Sequence, residues 1–356
     1  MTKIRVLVVE DSLTVRRKLV EVLGSDETFE VVGEAADGAQ AIALCQSLRP
    51  DVLTMDMMLP NMNGLAATEY IMAHCPTPIL IVSASSNRGE VLTTYDALAA
   101  GAVDVCEKPT GNAEPGTWER AFLTSVRIVS RVRVITHPRA RLFGLSQPRE
   151  LDPPAGSFPP NGSGTIDLIA VGASTGGPAA LVELFSSLPS RFALPILVVM
   201  HISAAFAPSF EEWLRSQVGR STQFAKDGEV ISELGGRVRL APADRHLAVR
   251  NGRLQLSDAP ARHSCKPSVD VLFEAVARDY GPRVAACLLT GMGRDGASGL
   301  LALRKSGAAT FAQDEQSCVV YGMPREAVLL GAAERVLRPQ AIARAFGELA
   351  QQAVRS

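Results

Sequence analysis

The stretch IDLIAVGASTGGP, residues 166–178, reads as a strand, a tight turn and the first residues of a helix. Asp167–Val171 is a nearly unbroken apolar run, the pattern of a strand covered on both faces. Gly172-Ala173-Ser174-Thr175-Gly176-Gly177 carries no bulky side chain, and Pro178 suits the first turn of a helix because its missing N–H has no partner to lose there. A short strand–turn–helix connection is the unit of a parallel α/β sheet. Further strands are expected at Pro195–Met200, Arg237–Leu240, His246–Val249 and Val284–Leu289, with a helix over Val269–Asp279. Together they describe a doubly wound, mainly parallel α/β domain.

The same alternation fills the first third of the chain. Strands are expected at Ile4–Val9, Phe29–Val32, Val52–Met55, Ile79–Val82 and Val103–Cys106. Helices are expected at Thr14–Leu23, Ala39–Leu48, Gly64–His74, Glu90–Ala100 and from Trp118 to Val134. Five βα units make a flavodoxin-like parallel sheet with helices on both sides. Between the two, residues 137–163 contain six prolines, namely Pro138, Pro148, Pro153, Pro154, Pro159 and Pro160, which suits an extended connector. The expected domains are therefore 1–136, a linker over 137–163, and 164–356.

Composition narrows the function. The 356 residues include 36 Lys+Arg and 37 Asp+Glu, a net charge of −1, which gives no electrostatic reason to expect nucleic acid or an anionic membrane. No apolar run reaches the roughly 18 residues of a membrane span, and the N-terminus MTKIRVLVVEDS lacks the form of a signal peptide. The six cysteines stand singly without CxxC spacing, as in a reduced cytoplasmic protein without a disulfide framework or a zinc site. A cytoplasmic monomer is expected. The arginines Arg127, Arg131, Arg133, Arg139 and Arg141 read as a solvated helix face or an interdomain contact before a DNA-binding arm.

Sites in open parallel sheets form beyond the carboxyl ends of the strands. In the first domain Glu10 and Asp11 follow the first strand, Asp56 ends the third, Ser83 ends the fourth and Lys108 follows the fifth. Converging carboxylates repel unless a cation joins them, and a hard ion such as Mg²⁺ takes oxygen ligands. Asp56 could then attack a phosphoryl group while the metal and Lys108 neutralise the transferring oxygens.

In the second domain Gly172, Ser174 and Gly176 fit the G-x-S-x-G nucleophile pattern, although such a turn also suits a phosphate loop. Of the five histidines, His74 and His137 read as surface residues, and His246 and His263 fall in or near an irregular region. His201 follows a strand directly, on the edge that carries Ser174. Asp295, in LLTGMGRDGASG, follows another, so Ser174, His201 and Asp295 can meet as nucleophile, base and orienter. The order Ser–His–Asp differs from that of α/β-hydrolases and argues for a separate fold. A rival reading is the G-x-G-x-x-G of Gly291, Gly293 and Gly296, with Asp314 about 18 residues on, a dinucleotide fingerprint. Arg294 and Asp295 would crowd the pyrophosphate.

Residues from about 3 to 134 resemble the response-regulator receiver family through VVEDS, LTMDMMLPNMNG, ILIVSAS and CEKP. The resemblance implies that Asp56 is the phosphoacceptor, that Glu10 and Asp11 serve Mg²⁺ with it, and that Ser83 and Lys108 sense the phosphoryl group. It also makes the Lys108–Pro109 bond a candidate for the cis form. The acidic pair is Glu-Asp rather than the commoner Asp-Asp, and Val105 stands where a switching Tyr or Phe is often found. From about 165 onward the chain resembles the CheB catalytic domain through VGASTGGP, VVMHI, RVRLAPADRH, KPSVDVLF, LLTGMGRDGASGL and AQDEQSCVVYGMP.

That second resemblance implies Ser174 as nucleophile, His201 as base and acid, and Asp295 as orienter. It further implies that the Met292 backbone N–H and the Thr175 hydroxyl stabilise the oxyanion. The implied activity is phosphorylation-activated hydrolysis of glutamate methyl esters on methyl-accepting chemotaxis receptors, with deamidation of receptor glutamines and no cofactor for the hydrolysis itself. A chemotaxis histidine kinase would be the phosphodonor, and the unphosphorylated receiver would cover the Ser174 edge. After the base, Ser203-Ala204-Ala205-Phe206 replaces the family's paired prolines and aromatic. Two alternatives stand beside this reading: a receiver-gated serine hydrolase acting on another protein ester, and a non-enzymatic regulator whose second domain binds a partner.

Overall fold

The computed structural model describes residues 2–84, 88–109, 116–132, 134 and 165–355. The chain divides into two compact units, Met1–Arg149 and Glu150–Ser356. The expected linker over 137–163 lies outside the described residues.

The first unit alternates strands and helices: β1 (Ile4–Val9), α1 (Leu13–Gly24), β2 (Phe29–Ala35), α2 (Gly38–Leu48), β3 (Val52–Met55) and α3 (Gly64–His74), then β4 (Ile79–Ser83), α4 (Arg88–Ala99), β5 (Asp104–Glu107) and α5 (Thr117–Val129). The strands form one parallel sheet in the order β2-β1-β3-β4-β5. All four residues of β3 are buried, as helices on both faces require. Because β1 lies between β2 and β3, the chain leaves it in opposite directions, and a crevice opens at the carboxyl ends of β1 and β3. Two sequence expectations change. Helix α5 stops at Val129 instead of running to Val134, because its buried stripe of Phe122, Val126 and Val129 ends there. Arg127 is not on a solvated face: it pairs with Asp26 at 2.6 Å and lies 5.2 Å over the Phe29 ring.

The second unit comprises β6 (Leu168–Ala173), α6 (Gly177–Ser186), β7 (Ile196–Met200), α7 (Ala207–Val218), β8 (Thr222–Phe224) and β9 (Val238–Leu240). A hairpin β10 (His246–Arg250) and β11 (Arg253–Ser257) follows, then α8 (Val269–Tyr280), β12 (Val284–Leu288) and α9 (Ala297–Lys305). The chain closes with β13 (Ala309–Gln313), α10 (Met323–Leu329), β14 (Arg335–Leu337) and α11 (Pro339–Arg355). Seven strands make one parallel sheet in the order β14-β13-β12-β6-β7-β9-β8. Every residue of β6, β7 and β12 is buried. Their side chains meet α8 and α9 in a core that includes Leu168, Leu197, Val269, Phe273, Leu288 and Leu300.

The segment at 246–249 does not join this sheet. Asn251 and Gly252 both adopt positive φ, 52° and 70°, so β10 turns back antiparallel onto β11. The order of the main sheet puts β6 between β12 and β7, with its chain reversal at that strand. The carboxyl ends of these three neighbours therefore supply one edge, where Ser174, His201 and Asp295 all fall.

Candidate functional site

At the carboxyl edge of the first sheet Lys108 joins the acids. Its Nζ lies 2.9 Å from Asp56 Oδ2 and 3.0 Å from Glu10 Oε2. Both carboxylates are buried, Asp56 to 1% exposure and Glu10 to none. Burial, then the Asp56 charge, pushes the Glu10 carboxyl up to about 7 against the pull of Lys108. Burial also raises Asp56, with Lys108 opposing it. Asp11 is exposed, yet it offers an oxygen within 4.8 Å of those of Glu10 and Asp56. Glu10 Oε2 and Asp56 Oδ2 are buried without a hydrogen-bond partner, while Lys108 Nζ donates to the other Glu10 oxygen, Oε1, at 3.2 Å. Two such oxygens beside a third carboxylate fit a hard divalent cation.

Ser83 is engaged elsewhere. Its hydroxyl donates to Glu90 Oε1 at 2.9 Å and accepts from Thr94 Oγ1 at 3.1 Å, while the Ala84 N–H also donates to Glu90 at 2.7 Å. Lys108 reaches both acids from a trans bond to Pro109; among the described residues the cis peptide is Lys266–Pro267.

In the second unit the sheet ladder extends past the strand ends. The Ser174 N–H donates to Thr290 O at 3.0 Å and the His201 N–H to Ala173 O at 3.0 Å. The turn after Ser174 places its left-handed residue at Gly176, φ 76°, where a Cβ would lie 2.4 Å from Val319 Cβ. Ser174 itself has no positive φ, so the left-handed step of this turn falls on the glycine. Gly291 presses on Ser174 from the β12 side, and a Cβ there would stand 2.7 Å from Ser174 Cβ and 2.4 Å from Met323 Sδ. Gln313 Oε1 accepts the Thr290 N–H at 2.7 Å, and Thr290 Oγ1 donates to Thr175 O at 3.0 Å, bracing the turn.

Asp295 is 2% exposed and fully engaged. Its Oδ2 lies 2.9 Å from His201 Nε2 and accepts the Val269 N–H at 2.7 Å. Its Oδ1 accepts Ser268 Oγ–H at 2.7 Å and the Asp270 N–H at 3.2 Å. The carboxylate thus sits at the N-terminus of α8, where free amides and the helix dipole favour an anion. Burial alone would raise Asp295, but these bonds, His201 and Ser268 foremost, hold it below the usual carboxylate range. Burial disfavours charge on His201 as well. The hydrogen bond with Asp295 and the neighbouring Cys265 outweigh it and lift the imidazole to about 9.

With Nε2–H directed at Asp295, the ring's lone pair lies on Nδ1. Among the described residues, His201 Nδ1 meets Cys265 Sγ at 3.8 Å and the Ser174 hydroxyl makes no hydrogen bond. The packing of the glycines answers the dinucleotide reading. Gly291 is packed on Ser174, and a Cβ at Gly296, which opens α9, would stand 2.6 Å from Leu288 and Val269, so neither glycine opens toward a phosphate.

Residues 169–346 match the CheB methylesterase family, and residues 6–114 match the response regulator receiver domain. A protein-glutamate methylesterase/protein-glutamine glutaminase of Nitrosospira multiformis is 43% identical over 349 residues, 97% of each chain. The chain belongs to the CheB methylesterase family. A relative of the same name from Anaeromyxobacter dehalogenans, numbered 2 there, is 40% identical over 97% of each chain. The CheB methylesterase catalytic domain of Thermotoga maritima is 33% identical, covering 52% of this chain and 99% of that one, with a TM-score of 0.49.

Within this CheB chain the structure brings Glu10, Asp56 and Lys108 into contact and bonds His201 to Asp295. Met292 is exposed on the loop beyond β12, and among the described residues its N–H makes no hydrogen bond. His246 and His263 serve other ends. His246 accepts the Ser268 N–H at 3.1 Å, and His263 lies 3.2 Å from the buried Asp270. The exposed His74 stacks on Tyr70. The sequence alone does not single out Ser268, Cys265 or Glu90 as members of either site. Ser268 was legible as a helix N-cap before an apolar run. Nothing in the order of residues directs its hydroxyl to a carboxylate 27 positions on.

Proposed function

We propose that this chain is a phosphorylation-controlled protein-glutamate methylesterase. It would hydrolyse γ-glutamyl methyl esters on chemoreceptor signalling helices and deamidate receptor glutamines by the same acyl route. The observation that carries the reading is the Asp295–His201 bond of 2.9 Å, which leaves Nδ1 as the base on the strand next to Ser174. Ser174 Oγ attacks the ester carbonyl as Nδ1 takes its proton. The imidazolium that forms is stabilised by Asp295, and it returns the proton to the departing methoxide, releasing methanol. Water, deprotonated by the same nitrogen, then frees the glutamate. The Met292 N–H, the Thr175 hydroxyl and the positive end of α6 are the groups assigned to the oxyanion.

In the receiver, Asp56 is the proposed phosphoacceptor and Ser83 and Lys108 the groups that sense its phosphoryl oxygens. Mg²⁺ would be held by Glu10, Asp11 and Asp56, and when bound it supplies positive charge to the phosphoryl oxygens. Ser83 must exchange Glu90 for a phosphoryl oxygen, which gives phosphorylation a local event to act through. The phosphodonor is read as a histidine kinase of the chemotaxis system, and the site of action as the cytoplasm, in keeping with six free cysteines. Residues 1–136, 137–163 and 164–356 are read as receiver, linker and esterase. Among the described residues no helix is long and apolar enough to cross a membrane.

The test is methanol release from methylated receptor membranes, with and without a small-molecule phosphodonor and Mg²⁺. Release should rise with the donor in the native chain and stay flat in Asp56→Asn. In Ser174→Ala it should fall by about 10⁴-fold or more. Activity within tenfold of the native chain in Ser174→Ala would overturn the serine mechanism.

A further inference from the structure

The esterase reaction has no use for a thiol, yet one faces its base. Cys265 Sγ lies 3.8 Å from His201 Nδ1. The thiol is held in place by a reverse turn in which Arg262 and Cys265 exchange backbone hydrogen bonds of 3.0 and 2.8 Å. Arg262 is clamped in turn by a fork of 2.6 and 2.7 Å onto Glu274 of α8, the helix whose N-terminus holds Asp295. Thiol, imidazole and carboxylate therefore share one frame. Their ligand atoms all lie within 4.8 Å of one another.

This spacing has a chemical meaning. Zinc binds a histidine nitrogen at about 2.1 Å and a cysteine sulfur at about 2.3 Å, so a tetrahedral angle separates the two by about 3.6 Å. The observed 3.8 Å needs a shift of only a fraction of an ångström. Ligating imidazoles generally donate their other N–H to a carboxylate, the arrangement that Asp295 already makes at Nε2. The carboxylate oxygens are taken by four hydrogen bonds, so Asp295 orients the ring and water completes the shell. A sulfur–imidazole pair selects a borderline-soft ion over Mg²⁺ or Ca²⁺.

We propose that Cys265 and His201 form a Zn²⁺ site whose occupation silences the esterase. Binding forms Zn–S and Zn–N bonds and sends the thiol proton, and any proton on Nδ1, to solvent. The nitrogen that Ser174 needs is then held by the metal. The silencing rests on the serine-esterase reading; the binding does not.

The test uses the full chain with Mg²⁺ in excess, which keeps the receiver carboxylates filled. Zn²⁺ is titrated against methanol release, and Co²⁺ is followed by its thiolate-to-metal absorption in the near ultraviolet. The native chain should be inhibited by micromolar Zn²⁺, recover with chelator, and show the cobalt band. Cys265→Ser should lose the band and need a Zn²⁺ concentration higher by at least about the tenfold that an outer-shell change alone costs. Cys265→His should lose the band and keep the inhibition. A band that persists in Cys265→Ser, or equal Zn²⁺ sensitivity in the native chain and Cys265→Ser, overturns the site. A band without inhibition overturns the silencing. A native chain that releases no methanol without zinc refutes the esterase reading, and the cobalt band still decides the metal site.

Discussion

Replacing Asp295 by Asn tests the catalytic edge through its electrostatics. His201 is lifted from 6.5 to about 9, which corresponds to roughly 3 kcal/mol in favour of the imidazolium. Burial opposes that charge, so the part due to Asp295 and Cys265 exceeds the net. At pH 7 only about one native molecule in a hundred then has a free base. Its kcat/KM should climb about tenfold per pH unit from 6 and level near 9. Asparagine withdraws the charge and, by donating its amide to Nε2, favours the wrong tautomer.

In Asp295→Asn only Cys265 still opposes burial, so the imidazole falls from its native value of about 9. The variant's rate should level off at a lower pH than the native chain's and, at pH 9, be slower by about 10⁴-fold. Stability carries the same signature. A raised histidine pKa contributes fully below 6.5 and is lost as pH rises through about 9. The native melting temperature should fall over that window, and the variant's should fall less. The assay is initial methanol release against pH, paired with thermal melts in the same buffers. A variant that keeps an ascending limb centred near 9 would refute Asp295 as the group that governs His201.

Other expectations follow from single contacts. Glu90→Gln weakens the acceptor that holds Ser83, by about 1 kcal/mol if a charged bond becomes a neutral one, so half-activation should need about fivefold less phosphodonor. An unchanged donor titration would show that Glu90 does not restrain Ser83. Gly291→Ala drives a methyl group against Ser174 and Met323, and should cost about 1–3 kcal/mol of stability together with most of the activity. Near-native melting and kcat would mean the turn has room. Without Mg²⁺, raising pH from 6 to 8 should destabilise the receiver by about 1 kcal/mol, because a carboxyl lifted to about 7 loses its contribution as pH rises through that value. Added Mg²⁺ should remove the effect; a chelated receiver whose melt is flat with pH would argue against it. Deleting residues 1–140 should raise basal methanol release, and a truncated enzyme no faster than the unphosphorylated chain would exclude inhibition by the receiver.

The amino-acid order alone determined the βα alternation, since buried parallel strands must be nearly continuous apolar runs and β1, β3, β6, β7 and β12 are such runs. It also determined which polar residues lie at carboxyl strand ends, and hence Glu10, Asp56, Lys108, Ser174, His201 and Asp295 as candidates. Residues joined by a strand and a turn are placed by local geometry, and local geometry is written in spacing. Three contacts were decided only by the folded chain: Ser83 with Glu90, Ser268 with Asp295, and Cys265 with His201. The first turns on how α4 packs beside β4. The other two depend on where α8 begins against β6 and β12, and on a turn at 262–265 with left-handed residues at His263 and Ser264. Six cysteines scattered singly give no zinc spacing in sequence, whereas packing sets one of them beside an imidazole 64 residues away, because contacts between elements follow the order of strands in the sheet and not their order in the chain.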